Sequence, residues 1–234
     1  MKRILKENML NAVRGFVAGL AVLMVAIPSH VMAITLDDLI TNDDFIIEGD
    51  KIFYDFGYVD NNNSGPDPAE INVSGDTAGG FYGLQFQGGF IDFPGPPDLE
   101  VLISYYVGVL DPAREMSEIY AAANLAVFGT GTSSLNTCAY DPNNPSAPFS
   151  LLGCVNLTNP PQNLSGLASF AGSVLTAYVR NHLVLDGGSA GIATLSFGNN
   201  WLSQVEVPVP EPATIILLGS GLLGIGFMSR KGKV

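Results

Sequence analysis

Clusters of Gly, Asn, Asp and Pro cut the middle of this 234-residue chain into short segments. They fall at 60–68 (DNNNSGPDP), 93–98 (FPGPPD), 186–188 (DGG) and 198–200 (GNN). These residue types supply turns, and they leave little room for long helices. Between them lie runs rich in aromatic and β-branched residues: Lys51–Val59, Phe81–Gln87, Phe90–Phe93, Leu99–Leu110, Gly191–Phe197 and Trp201–Val207. Many short strands separated by turn signals predict a mainly β domain, either an antiparallel β-sandwich or a barrel-like fold. Leu36–Ile40 is expected to open as a short helical turn. Arg114–Val127 is ambiguous, because Ala121–Ala123 favour helix. There is no repeat of fixed period and no βαβ alternation.

The two ends of the chain differ from this middle. Met1–Ala33 has the layout of a secretory signal peptide: basic Lys2, Arg3, Lys6 and Arg14, an apolar core at Phe16–Ile27, then Pro28. Val31 and Ala33 offer small residues before a cut after Ala33 by signal peptidase. Past Val207, Pro208, Pro210 and Pro212 form a stiff, extended linker at the head of 208–234. An uncharged run follows at 213–228, then Arg230, Lys231 and Lys233. The run spans ~24 Å as a helix, short of a ~30 Å hydrocarbon core, and snorkelling cations can cover the gap. It reads as a C-terminal transmembrane helix with a basic stop on the cytoplasmic side.

Pro210-Glu211-Pro212, the short Gly- and Leu-rich span and the terminal cations, in that order, resemble the PEP-CTERM sorting signal of Gram-negative bacteria. That resemblance covers about the last 28 residues, 207–234. It implies processing by a membrane-embedded peptidase, exosortase, and delivery of the mature protein to the cell surface or medium. Leu36–Ile40, Gly49–Phe53 and Gly83–Phe90 loosely resemble stretches of uncharacterised PEP-CTERM proteins, which implies no activity.

The working part is therefore 34–207. It keeps three cations, Lys51, Arg114 and Arg180, against 20 acids, a net charge near −17. Such a surface repels nucleic acid and anionic lipid, so neither is an expected partner. Cys138 and Cys154 are the only cysteines. An even count in an exported chain predicts a disulfide. Two thiols serving a metal is the weaker reading, since a second cysteine pair and nearby histidines are missing.

Few chemistries have residues to carry them. His182 is the only histidine left after signal removal. Gly187–Gly191 matches the G-x-S-x-G elbow around Ser189, but no histidine follows that serine, as the hydrolase order requires. Asp60–Glu70 partly resembles a calcium loop, with Asp60, Asn62 and Ser64 at oxygen-ligand positions and Gly65 at the turn. Its twelfth position is Ile71, which weakens the match, so an ordinary solvated turn competes. Trp201, Tyr105 and Tyr106 could stack on sugars, but their strand positions favour core packing. No pair of carboxylates is selected by sequence, because a glycosidase pair is defined by distance in the fold.

The expectation is a non-enzymatic exported protein of the envelope or extracellular matrix, structural or adhesive. The alternative is a surface-displayed carbohydrate-binding or glycan-processing module whose partner is extracellular polysaccharide. No cofactor is expected, and calcium at Asp60–Glu70 stands only as the alternative to an ordinary turn.

Overall fold

The computed structural model describes residues 33–143 and 150–207. The predicted signal peptide, Pro210, Glu211 and Pro212, the span at 213–228, and Arg230, Lys231 and Lys233 lie outside the described residues. Among the described residues no helix is long and apolar enough to cross a membrane.

Among the described residues thirteen strands form two antiparallel sheets. In chain order they are β1 (Ile34–Thr35), β2 (Ile46–Glu48), β3 (Lys51–Asp60), β4 (Asn72–Ala78), β5 (Phe81–Asp92), β6 (Leu99–Val109) and β7 (Arg114–Phe128). Then come β8 (Thr132–Asp141), β9 (Ser150–Asn159), β10 (Ser165–Val174), β11 (Thr176–Asp186), β12 (Ile192–Leu202) and β13 (Val205–Glu206). The first sheet runs β1-β4-β5-β12-β7-β10, with β13 also pairing β7. The second runs β2-β3-β6-β11-β8-β9. Among the described residues both sheets are open at their edges, so the fold is a sandwich. The barrel-like alternative fails because neither sheet closes on itself.

Strict alternation makes these strands. Along β6, Leu99, Val101, Ile103, Tyr105, Val107 and Val109 are buried while the residues between them are not. Period-two burial of this kind turns one face to the core. Tyr105, fully buried, stands at the centre: its ring meets Phe53 and Phe56 of its own sheet at 5.9 and 5.7 Å, and Phe86 of the opposite sheet at 5.9 Å. Burying side chains of this size stabilises by roughly 1.5–3 kcal/mol each.

Leu36–Thr41 forms the expected helical turn, α1. Thr35 caps it by accepting from the Asp38 N–H at 3.1 Å, and Leu36 and Leu39 are buried. Arg114–Val127 lies wholly in strand β7, with Ala121 and Ala123 packed inward. The GNN cluster at 198–200, expected as a turn, lies inside β12. Its asparagines find side-chain partners on neighbouring strands of both sheets, as Asn199 bonds Asp76 and Gln85, and Asn200 bonds Tyr105 and Thr137. Phe81–Gln87 and Phe90–Phe93 join into one strand, β5, whose register against β12 shifts near Gly88-Gly89.

Candidate functional site

Three loops meet at one pole of the sandwich. They are the 93–98 turn after β5, the 187–191 turn between β11 and β12, and the 60–66 loop after β3. Here Asp92, Asp98 and Asp186 bring one carboxylate oxygen each to within 4.8 Å of one another. Asp92 is buried at the end of β5, Asp186 half-buried at the end of β11, and Asp98 exposed. Backbone donors offset part of the like-charge repulsion. The Gly187 N–H donates to Asp92 Oδ2 at 2.6 Å, and the Gly188 N–H to Asp186 Oδ1 at 2.5 Å. Asp98 is held above the ordinary carboxylate range, by desolvation first and then by Asp186 and Asp92. An oxygen-only set of this kind suits a hard divalent cation such as calcium, which would draw its remaining ligands from water or backbone carbonyls.

The stretch that partly resembles a calcium loop, Asp60–Glu70, lies next door, and its oxygens serve as those of an ordinary turn. Asp60 accepts from the N–H groups of Asn62, Ser64 and Gly65, at 3.2, 3.3 and 2.8 Å. Asn62 Nδ2 and Ser64 Oγ donate to the Asp98 carbonyl at 2.9 and 3.2 Å. The loop thus holds its own shape and positions Asp98. Tyr58 pins it further by donating to the Pro66 carbonyl at 2.7 Å. Burial, with Asp60 and Asp67 nearby, pushes the Tyr58 phenol up to about 12. Gly65 is required by close approach: a Cβ there would stand 2.5 Å from a Val101 methyl and 2.7 Å from the Tyr58 hydroxyl.

Ser189 is exposed at the tip of the β11–β12 turn, with a strand and not a helix after it. It therefore lacks the strand-turn-helix setting of a nucleophile elbow. His182 lies on β11, where its Nε2 is 2.9 Å from Glu100 Oε1. That bond, with another from Asn61 Nδ2 at 3.0 Å, holds Glu100 below the ordinary carboxylate range. Ala33 is exposed, directly before β1. Cys138 and Cys154 face each other across β8 and β9 and form a disulfide, with Cα atoms 4.1 Å apart.

The three aromatic candidates have three fates. Tyr105 is core. Trp201 lies on the outward face of the first sheet, yet is only 7% exposed and packs on Tyr120 at 5.3 Å. Gly83 stands opposite it, where a Cβ would run into the Asn200 carbonyl. Tyr106 alone is half-exposed, on the outward face of the second sheet. Between the sheets, a cavity lined by residues including Asn181 and Asn200 holds about 20 Å³, room for about one water and no larger ligand.

A family model, the PEP-CTERM protein-sorting motif, matches residues 208–231. No curated protein matches the chain. Among solved structures, the enzymatically active domain of bacteriophage CBA120 tailspike protein 4 aligns at 8% identity over 63% of this chain and 19% of its own, with a TM-score of 0.28. The Clostridium thermocellum N-terminal endo-1,4-β-D-xylanase 10B, complexed with xylohexaose, aligns at 11% over 77% and 29%, with a TM-score of 0.25. A Bacillus subtilis arabinoxylan arabinofuranohydrolase of glycoside hydrolase family 43, in complex with cellotetraose, aligns at 8% over 69% and 53%, with a TM-score of 0.25. The chain thus spans 19% to 53% of the length of those structures. Scores this low carry no argument about fold or function.

Proposed function

We propose that this chain, which carries the PEP-CTERM protein-sorting motif at 208–231, works outside the cell as a structural or adhesive protein of the envelope or matrix. The motif is the observation that carries this reading. It implies export, anchoring by the C-terminal region, and release by an exosortase-type enzyme. In this reading the sandwich is a non-enzymatic module. Two further features support it. The disulfide joins neighbouring strands, as suits an oxidising compartment. Val207 donates its N–H to the Ala113 carbonyl at 2.8 Å, which ties the residue just before the sorting motif to the sandwich and marks that end as the exit toward 208–231.

β12 joins that end of the sandwich to the acidic pole. It runs from Ile192, beside the acidic pole, to Leu202, beside the exit. At ~3.3 Å per residue its eleven residues separate the two by ~35 Å. The acidic pole thus stands at the end away from the chain's exit.

A chain bearing an internal tag and a C-terminal tag, produced in its native host, tests the reading. The internal tag should reach the surface or medium, and the C-terminal tag should stay behind on a small membrane fragment or vanish. Both tags on one full-length inner-membrane protein, in cells that make exosortase, would defeat it. Replacing Pro210, Glu211 and Pro212 with Ala should produce that anchored outcome. The second reading, a glycan-binding surface, is favoured by one feature of the second sheet.

A further inference from the structure

One register row on the outward face of the second sheet is tyrosine on four successive strands. Tyr54 of β3 pairs with Tyr106 of β6, Tyr106 with Tyr178 of β11, and Tyr178 with Tyr140 of β8. Their strand neighbours Phe53, Tyr105, Ala177, Val179 and Ala139 are in the core, so alternation turns all four rings outward. Successive ring centroids are 5.7, 4.9 and 6.4 Å apart, and all four side chains are half-exposed. Three interstrand steps of ~4.8 Å make the band ~14 Å long. The row continues to Leu151, opposite Tyr140 and 55% exposed.

The adjoining row is polar. Ser104, Arg180 and the Cys138–Cys154 disulfide lie in register, and His182 and Asn136 occupy the row after that. Arg180 is exposed, and among the described residues it makes no ion pair, whereas Lys51 and Arg114 pair with Asp50 and Asp111.

We propose that this tyrosine band, with Arg180 beside it, binds a neutral extracellular polysaccharide. Pyranose rings have apolar C–H faces and a rim of hydroxyls. The band offers the first a run of aromatic surface, and the two polar rows offer the second a guanidinium, a hydroxyl and an amide. Tyrosine suits such a wet surface, being apolar in body, polar at its tip and cheap to order. Charge decides between neutral and acidic glycans. A domain near −17 repels a polyanion, and one arginine does not offset that field. Width decides against a protein partner. A stable protein interface buries about 800 Å² on each side around an apolar centre, and this band is one residue wide beside a polar row. The proposal deepens the glycan reading above. It needs export only so that the surface meets polysaccharide, and binding is measured on purified protein, so sorting and binding fail independently.

The experiment is native affinity electrophoresis and calorimetry of the exported protein, purified from its host, with soluble dextran, xylan and mixed-linkage β-glucan, and alginate as the polyanion. At least one neutral polymer should retard the protein and alginate should not. Tyr106→Ala and Tyr178→Ala should each weaken binding at least about tenfold, a loss of about 1.4 kcal/mol. Tyr178→Phe, which keeps the ring, should bind within about threefold of wild type. Should an alanine variant fold poorly, Arg180→Ala, at an exposed position, should still weaken binding severalfold with an unchanged melting temperature. The proposal is overturned by no retardation in any neutral polymer, by retention in alginate alone, or by alanine variants that bind like wild type. Tyrosine-dependent self-association in place of glycan binding overturns it too.

Discussion

The two poles of the sandwich each hold a charge that the fold disfavours, and they do so in opposite ways. At the exit pole, Lys51 is fully buried. Its Nζ donates to Asp50 Oδ1 at 3.0 Å and to Gln204 Oε1 at 3.2 Å, and lies 5.6 Å from the centre of the Tyr82 ring. At the far pole, three carboxylates crowd together and, among the described residues, backbone N–H groups answer those of Asp92 and Asp186. Burial holds the Lys51 ammonium below its ordinary value, against the pull of Asp50. Asp98 is displaced upward. In both cases the fold disfavours the charged form. The exit pole compensates with an opposite charge, which fixes structure. The far pole leaves like charges together, which is an arrangement a cation would relieve.

Removing the lysine breaks the compensated pole. Lys51→Met should cost about 3–5 kcal/mol in urea unfolding, since it strands a mostly buried carboxylate at Asp50. Adding Asp50→Asn should recover much of that loss, because replacing both partners of a buried pair is often near neutral. A single variant within about 1 kcal/mol of wild type would mean the pole is wet and the contrast empty. The disulfide, at neither pole, serves as a control. Replacing both cysteines with Ala should cost about 3 kcal/mol for a loop of this length and leave the pH dependence unchanged.

The lysine also has a pH signature. Its folded pKa lies below the unfolded value of about 10.4. The unfolded chain therefore binds more protons between the two values, and stability from this group rises with pH across that window. Tyr58, raised to about 12, and Tyr105, raised by full burial, act oppositely above about pH 10. The difference between wild type and Lys51→Met isolates the lysine. Wild type should gain on the variant from the lowered value up to about 10.4, and parallel profiles would mean Lys51 titrates alike in both states.

Much of this fold was legible because burial follows local alternation. β6 carries it without interruption, whereas β3 breaks it between Tyr54 and Gly57, and α1 declares itself through Thr35, Asp37 and Asp38. β12 was misread because Asn199 and Asn200 look like turn residues until strands from elsewhere supply their partners. β7 was ambiguous because Ala121 and Ala123 are small to fit the interior, a reason no local window contains. Strands β8 to β11 went unread. β10, SGLASFAGSV, is largely exposed and has little apolar pattern. The sites were the least legible. Asp92 and Asp98 are distant in sequence from Asp186, and the tyrosines at 54, 106, 140 and 178 share no spacing. Only strand register assembles either group. Nothing local marks Lys51 as buried, since the neighbouring acid that lets it enter the core gives no sign of doing so.

The smallest expected effect lies at the acidic pole. Asp98 is exposed, so solvent screens its repulsion and only the direction of change is argued. Its folded pKa lies above the unfolded value of about 3.9. The native state therefore holds that proton more tightly. The resulting stability is fully present below about pH 3.9 and lost as pH rises through the folded value. Asp98→Asn removes the charge while keeping the shape, so in chelator the variant should melt above wild type at pH 7. Its advantage should shrink as pH falls through the window, where wild type regains the proton. With millimolar calcium in place of chelator, relief by an ion would act only where the charge remains. Wild type should then gain on the variant by mass action. A variant that melts below wild type in chelator would mean that Asp98 is held by attraction, and the two poles would then be alike.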